Sequence, residues 1–80
     1  LALELAPQVR VNAVAPGTVL PPEHSSEQEV STLAARIPLG HIGSANDVAS
    51  AVAFLARSPF VTGHELVVDG GRTVAGFERF

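Results

Sequence analysis

The fold of this chain is decided by the stretch Val9-Arg10-Val11-Asn12-Ala13-Val14-Ala15-Pro16-Gly17. Its first part, residues 9–14, is rich in β-branched side chains and predicts a strand, and residues 15–17 end that strand. Pro7 separates it from an apolar segment, residues 1–6, which has the composition of the last turns of a helix. The sequence therefore predicts a helix that leads directly into a strand.

A second strand is predicted over residues 64–69. Its centre is the continuous apolar run of residues 66–68, which is typical of a strand buried on both faces. Gly70 and Gly71 end it, and no convincing helical pattern follows. Because helices separate the two strands, the sequence predicts a parallel sheet with right-handed connections.

Two helices are predicted between the strands. Ser26 precedes Glu29 with the spacing of a capping box, as Ser25 precedes Gln28, and one apolar stripe follows, made of Val30, Leu33, Ala34 and Ile37. Ser44 and Asp47 begin the second helix, in which every residue of 48–56 except Ser50 is apolar. That helix is apolar on nearly every side, so it needs cover on more than one side.

The composition excludes several kinds of protein. The chain has 80 residues, a net charge of -3, no Cys, and five basic residues that are all Arg. Disulfides, nucleic-acid binding and a membrane span are therefore not expected. His24, His41 and His64 lack the spacing of metal ligands, and no metal site is predicted.

Several blocks of sequence occur in one order that resembles the C-terminal third of a short-chain dehydrogenase/reductase. They are residues 9–17, 36–40, 47–49, 54–55, 61–63 and 67–71, so the resemblance spans residues 1–71. It implies an α/β fold, the C-terminal part of a Rossmann-type doubly wound parallel sheet with its last two strands, its substrate-loop helix and its last long helix. Two strands are too few for such a sheet, so residues 1–80 are expected to form the C-terminal segment of a single domain, with an N-terminal part absent.

The resemblance also implies a function, which is hydride transfer between NAD(P)H and a carbonyl or pteridine-like substrate. The cofactor-binding residues would be Pro16, Gly17, Thr18 and Val19, and the main chain of Val19 would hold the nicotinamide carboxamide. The substrate-binding residues would be Leu20, Pro21, Pro22 and Glu23, and residues 25–36 would close over the site as a lid. From local spacing alone, an ordinary strand-ending turn is favoured for residues 12–19, by about two to one.

Two departures from the family pattern matter. Many members carry Thr where this chain has Pro21, and the run from Pro16 to Glu23 looks more like the pteridine reductase branch. The chain also has no Tyr and no Lys, so it lacks the catalytic Tyr-x-x-x-Lys and is assigned no catalytic residue. NADP is favoured over NAD as cofactor, although the residue that reads the ribose would follow an earlier strand.

Some alternatives stay open. The family suggests a cytoplasmic homotetramer, and the apolar helix and strand would be covered either by another copy or by the rest of the domain. The tail, residues 72–80 with Phe77 and Phe80, could reach a neighbouring subunit or fray. In place of an enzyme, the chain could be a non-catalytic relic kept as an oligomerisation or scaffold module. A hydrolase using His24 or His64 is a further alternative.

Overall fold

The computed structural model describes residues 1–17, 19 and 23–75. The elements follow one another as α1 (Ala2–Leu5), β1 (Ala13–Pro16), α2 (Glu27–Ala35), α3 (Ala45–Ala56), β2 (Glu65–Val68) and α4 (Arg72–Ala75). The predicted order of helix, strand, helix, helix and strand is confirmed. The short helix α4, which follows the glycine pair, was not expected.

The two strands form a parallel pair. Ala13 lies opposite Glu65 and Pro16 lies opposite Val68, and α3 packs against both strands. The chain therefore returns to the same sheet through α2 and α3, as the alternation of strands and helices predicts. Both strands end at the same edge of the sheet.

The strand β1 differs at both ends from the prediction over residues 9–14, because it begins only at Ala13 and includes Ala15 and Pro16, which were predicted to end it. The backbone N–H of Val11 donates to Thr62 Oγ1 (3.0 Å), and the carbonyl of Val11 accepts the N–H of Gly63 (2.8 Å). The amide of Asn12 donates to the Val61 carbonyl and accepts the N–H of His64, each at 3.0 Å. Residues 11 and 12 are thus bound to a loop by a mixture of backbone and side-chain hydrogen bonds, and the regular ladder begins only at Ala13.

Arg10 joins this loop to the end of α3. Its guanidinium donates to the carbonyls of Leu55 (2.9 Å) and Ala56 (2.9 Å) in the last turn of α3, and to that of Val61 (3.2 Å). The last carbonyls of a helix have no partner within the helix, and a positive charge is favourable there. One side chain therefore fixes the end of α3 to the segment that leads into β1.

Both longer helices begin with the capping boxes that the sequence predicts. Ser26 Oγ accepts the N–H of Glu29 (3.1 Å) while Glu29 Oε1 accepts the N–H of Ser26 (3.0 Å), so Ser26 rather than Ser25 is the N-cap of α2. Ser44 and Asp47 make the equivalent pair at α3 (3.2 and 2.7 Å). Each box satisfies two backbone donors that a helix N-terminus otherwise leaves unpaired.

The core within the described residues is small. Its buried apolar side chains are Ile37, Ala51 and Leu55. Ile37 lies beyond the end of α2, not within it as the apolar stripe predicts, because the helix stops at Ala35. Phe54 on α3 is 55% exposed and Val67 on β2 is 44% exposed. The cover on both faces that the apolar patterns predict is therefore not provided by the described residues themselves.

We expect Arg10→Met to lower the free energy of unfolding of the native protein by about 2 kcal/mol, because it keeps the apolar stem and removes hydrogen bonds from a charged donor. Chemical denaturation followed by circular dichroism measures the change. Arg57→Met, at the exposed C-cap of the same helix, is the matched control for loss of one positive charge. Equal stability of the two variants would contradict the role of Arg10.

Candidate functional site

A cavity of about 340 Å³ lies at the edge where both strands end. Val19, beyond β1, lines it together with Val68 and Asp69 at the end of β2. Ile37 and Leu39, which follow α2, complete an apolar wall, and the rim carries polar side chains, namely His41 and Asp47. In open α/β sheets, ligands bind beyond the carboxyl ends of parallel strands. The cavity therefore occupies the position that this architecture offers to a ligand.

The predicted site residues fall in different places. Pro16 is the last residue of β1, Gly17 follows it, and Val19 lines the cavity. Glu23 lies in an exposed turn, where its Oε1 is 3.6 Å from Nε2 of His24, and it is not among the residues that line the cavity. Some predicted residues, Thr18, Leu20, Pro21 and Pro22, lie outside the described residues, as do Phe77 and Phe80 in the tail.

Gly17 has a structural reason to be glycine that the sequence does not reveal. A Cβ built on Gly17 would lie 2.7 Å from the Cβ and 2.9 Å from the Cα of Asp69. The N–H of Gly17 also donates to the Val68 carbonyl (2.9 Å), so the two strand ends touch here. The absence of a side chain at Gly17 makes room for Asp69. Replacing Gly17 by valine would therefore disturb the strand ends before it reported on any ligand.

Asp69 was not recognised from the sequence as a functional residue. Its Oδ1 accepts the N–H of Gly71 (2.9 Å), and its Oδ2 accepts the N–H of Thr73 (2.7 Å) in the first turn of α4. Hydrogen bonding from Thr73, by its side chain first and then by its backbone N–H, lowers the pKa of Asp69 together with the Gly71 N–H, because these donors stabilise its ionised form. The available signal was an acidic residue placed directly before a glycine pair at the end of a strand.

The turn after Asp69 also contacts the opposite wall of the cavity. Gly70 has a φ of +66°, and a Cβ built on it would lie 2.5 Å from Cγ2 of Ile37. Its carbonyl accepts the N–H of Leu39 (3.0 Å). Only glycine combines this backbone conformation with so close a neighbour. The glycine pair therefore ends β2 and at the same time seats the segment that follows α2.

The helix α2 stands apart from the rest of the structure. Among the described helices and strands, none packs against it. Its C-terminal end leads to the cavity through the segment that contains Ile37 and Leu39. A helix with few packing contacts has little to hold it in one position.

The three histidines lie in separate surroundings. His41 is at the cavity rim, with Nδ1 3.1 Å from the Ile42 carbonyl, His24 is in an exposed turn, and the His64 N–H donates to Asn12. Within residues 1–17, 19 and 23–75, no group of three or more His, Asp or Glu side chains could hold a metal ion. In the same part of the chain, no helix is both long and apolar enough to cross a membrane.

Comparison with known proteins gives a consistent result. Residues 1–73 match the family model described as enoyl-(acyl carrier protein) reductase. The 3-oxoacyl-[acyl-carrier-protein] reductase of Bos taurus is 50% identical over 72 residues, which are 89% of this chain and 30% of that protein. The chain thus spans about a third of the length of the curated relatives it matches.

Solved structures share the backbone arrangement. A small-chain dehydrogenase in complex with NADPH superposes with a TM-score of 0.78 and 32% identity, over 91% of this chain and 36% of that one. A short chain dehydrogenase from Leptospira borgpetersenii with bound NAD+ gives a TM-score of 0.76 and 35% identity, over 90% of this chain and 29% of that one. The Rossmann-type α/β fold expected from the sequence is confirmed.

We expect acid to destabilise the protein through its helix caps. Hydrogen bonds from Ser26, Ser44 and Thr73 lower the pKa of Glu29, Asp47 and Asp69 respectively. A carboxyl whose pKa is lower in the folded state stabilises the fold above its unfolded pKa, and that stabilisation is lost as the pH falls through the folded pKa. The urea midpoint of the native protein should therefore fall as the pH is lowered from about 5.

Asp47→Asn removes one of these groups and tests the assignment. The variant should be less stable at neutral pH, and its stability should decline less steeply on acidification than that of the unsubstituted protein. Glu65→Gln, which removes an exposed charge from β2, is the control. An unchanged slope in the Asp47 variant would contradict a contribution of this cap.

Proposed function

This chain belongs to the short-chain dehydrogenase/reductase family, and from that premise we propose that it forms part of an NAD(P)H-dependent oxidoreductase that reduces a carbonyl substrate. The observation that carries the proposal is the cavity at the shared carboxyl edge of β1 and β2, with Val19 on its wall. Relatives of this family, solved with NADPH and with NAD+, support a nicotinamide cofactor. We favour NADP over NAD as that cofactor.

The residues around the cavity fit the nicotinamide end of such a cofactor. Ile37, Leu39 and Val68 offer an apolar surface for a flat ring, and the main chain of Val19, which lines the cavity, would hydrogen-bond a carboxamide. Pro16, Gly17 and Thr18 belong to the same proposed segment, although Gly17 faces Asp69 and Thr18 lies outside the described residues. When bound, the cofactor supplies the hydride, and this chain orients the ring and excludes water.

The proposed roles of the remaining segments follow from their positions. We assign residues 25–36, which include α2, to a lid over the substrate, because no other described helix or strand holds α2 in place. Leu20, Pro21, Pro22 and Glu23 would contact substrate at the start of this lid. The exposed pair of Glu23 and His24 would then require lid closure to reach the site.

We further propose that residues 1–80 are the C-terminal segment of one nucleotide-binding domain. The chain spans about a third of the length of its relatives, and the described residues leave apolar side chains on α3 and β2 without cover. The chain contains no Tyr and no Lys, so the proton donor of the reaction would come from the remainder of that domain. A cytoplasmic location belongs to the same proposal and is compatible with the absence of cysteine.

Two substrate classes are distinguished by experiment. A 3-oxoacyl thioester is the first candidate, because the 50% identical relative from Bos taurus is a 3-oxoacyl-[acyl-carrier-protein] reductase. A pteridine is the second, and the observation that favours it is the Pro22-Glu23 pair, whose proline lies outside the described residues. The non-catalytic alternative, an oligomerisation or scaffold module, predicts no turnover of either.

We expect the native protein to oxidise NADPH, and NADH less well, when a 3-oxoacyl thioester is added. The rate is measured as the loss of absorbance of the reduced nicotinamide. A pteridine that is reduced to a dihydropteridine is assayed in parallel, and each cofactor without substrate is the blank. Faster turnover of the pteridine than of the thioester would identify a pteridine as the substrate class instead. Failure to bind either cofactor, measured by calorimetry, would leave the scaffold role.

We also expect the native protein to sediment as a homotetramer. Val52 and Phe54 on α3 and Val67 on β2 are exposed apolar side chains that a second copy would cover. Phe54→Ser should therefore lower the sedimenting mass, whereas Leu3→Ser in α1 is the matched control. A monomeric native protein would mean that the rest of the domain covers this face.

A further inference from the structure

Asp69 lies where the ends of the two strands meet. Its Cα and Cβ occupy the space beside Gly17, within 3 Å of where a side chain there would begin. Gly17 is two residues before Val19, and both Val19 and Asp69 line the cavity. The position of Asp69 therefore constrains Gly17, the residue at which the chain leaves β1.

The carboxylate of Asp69 is itself held in place. Two backbone donors, from Gly71 and Thr73, bind its two oxygens, and the Asp69 carbonyl accepts the N–H of Arg72 (3.2 Å). Hydrogen bonds to a charged acceptor are among the stronger ones in proteins. They fix the turn of residues 69–73 as a unit.

That turn also contacts the other wall of the cavity. The Gly70 carbonyl accepts the N–H of Leu39, and the Gly70 Cα faces Ile37. Ile37 is 4% exposed, so this contact is part of the small core. One turn, held by one carboxylate, thus contacts Gly17 on one side and Leu39 on the other.

We propose that Asp69 is a positioning residue for the nicotinamide end of the site, acting through Gly17 on the Val19 segment and through Gly70 on the wall after α2. It does not itself need to touch the cofactor. This inference rests on the proposed function, because it assumes that Val19 contacts the nicotinamide. Asp69 would then contribute to binding of the nicotinamide end of the cofactor and not to binding of its other end.

The test is to compare a complete nicotinamide cofactor with the same molecule lacking its nicotinamide. Asp69→Asn has nearly the same shape and keeps one acceptor oxygen, so it can retain only one of the two hydrogen bonds from Gly71 and Thr73. We expect the affinity of the native protein for NADPH or NADH to fall about tenfold, which is the scale of one hydrogen bond to a charged group. The affinity for the matching fragment, 2′-phospho-ADP-ribose or ADP-ribose, should stay unchanged, because these fragments have no nicotinamide.

Thr62→Val is the matched control. Thr62 Oγ1 accepts the N–H of Val11 at the opposite end of the strand pair, so this variant weakens the fold without touching the cavity edge. It should bind the complete cofactor and the fragment as the unsubstituted protein does. If Asp69→Asn does not fold, Asp69→Glu, which retains the charge and displaces the carboxylate, takes its place in the same comparison.

Each outcome has one meaning. A loss confined to the complete cofactor supports the positioning role of Asp69. An equal loss for cofactor and fragment, or no loss for either, overturns it. If the unsubstituted protein binds neither molecule, the proposed function itself fails.

Discussion

The parallel pairing of β1 with β2 is the constraint on which the rest of this structure depends. Parallel strands cannot be joined by a tight turn, so the chain between them must cross over, and α2 and α3 form that crossover. Pairing in this direction also brings the ends of both strands to one edge. The segment after β1 and the turn after β2 therefore come together, and the cavity lies between them.

The pairing is secured at its beginning by side chains. Arg10 binds the carbonyls at the end of α3, and Asn12 uses both its donor and its acceptor on the loop that precedes β2. At the other end, Gly17 and Asp69 allow the strand ends to approach closely. The sheet has only two strands of four residues, and specific contacts hold it at both ends. These contacts are needed because the core is small.

The sequence was informative where the determining contacts are local. Each capping box is formed within four consecutive residues. Both are found where the Ser–Glu and Ser–Asp spacings predict them. The predicted start of β1 was wrong, because β-branched residues favour an extended backbone whether or not a neighbouring strand is there to pair with it. The contact of Gly17 with Asp69 could not be predicted, since it joins residues far apart in the chain. Val19 was predicted from the family resemblance and lines the cavity, whereas four of its predicted neighbours lie outside the described residues.

The two ends of the sheet are held by chemically different groups. At the amino end, the cross-link is the guanidinium of Arg10, which donates to carbonyls at the end of α3. At the carboxyl edge, the Asp69 carboxylate holds the turn, and Asp47 nearby begins α3. Acid neutralises a carboxylate but not a guanidinium group. The contacts at the carboxyl edge should therefore weaken at low pH, whereas those at the amino end should persist. Unfolding in acid should therefore begin around the cavity. The contacts between the end of α3 and the segment before β1 should be lost last.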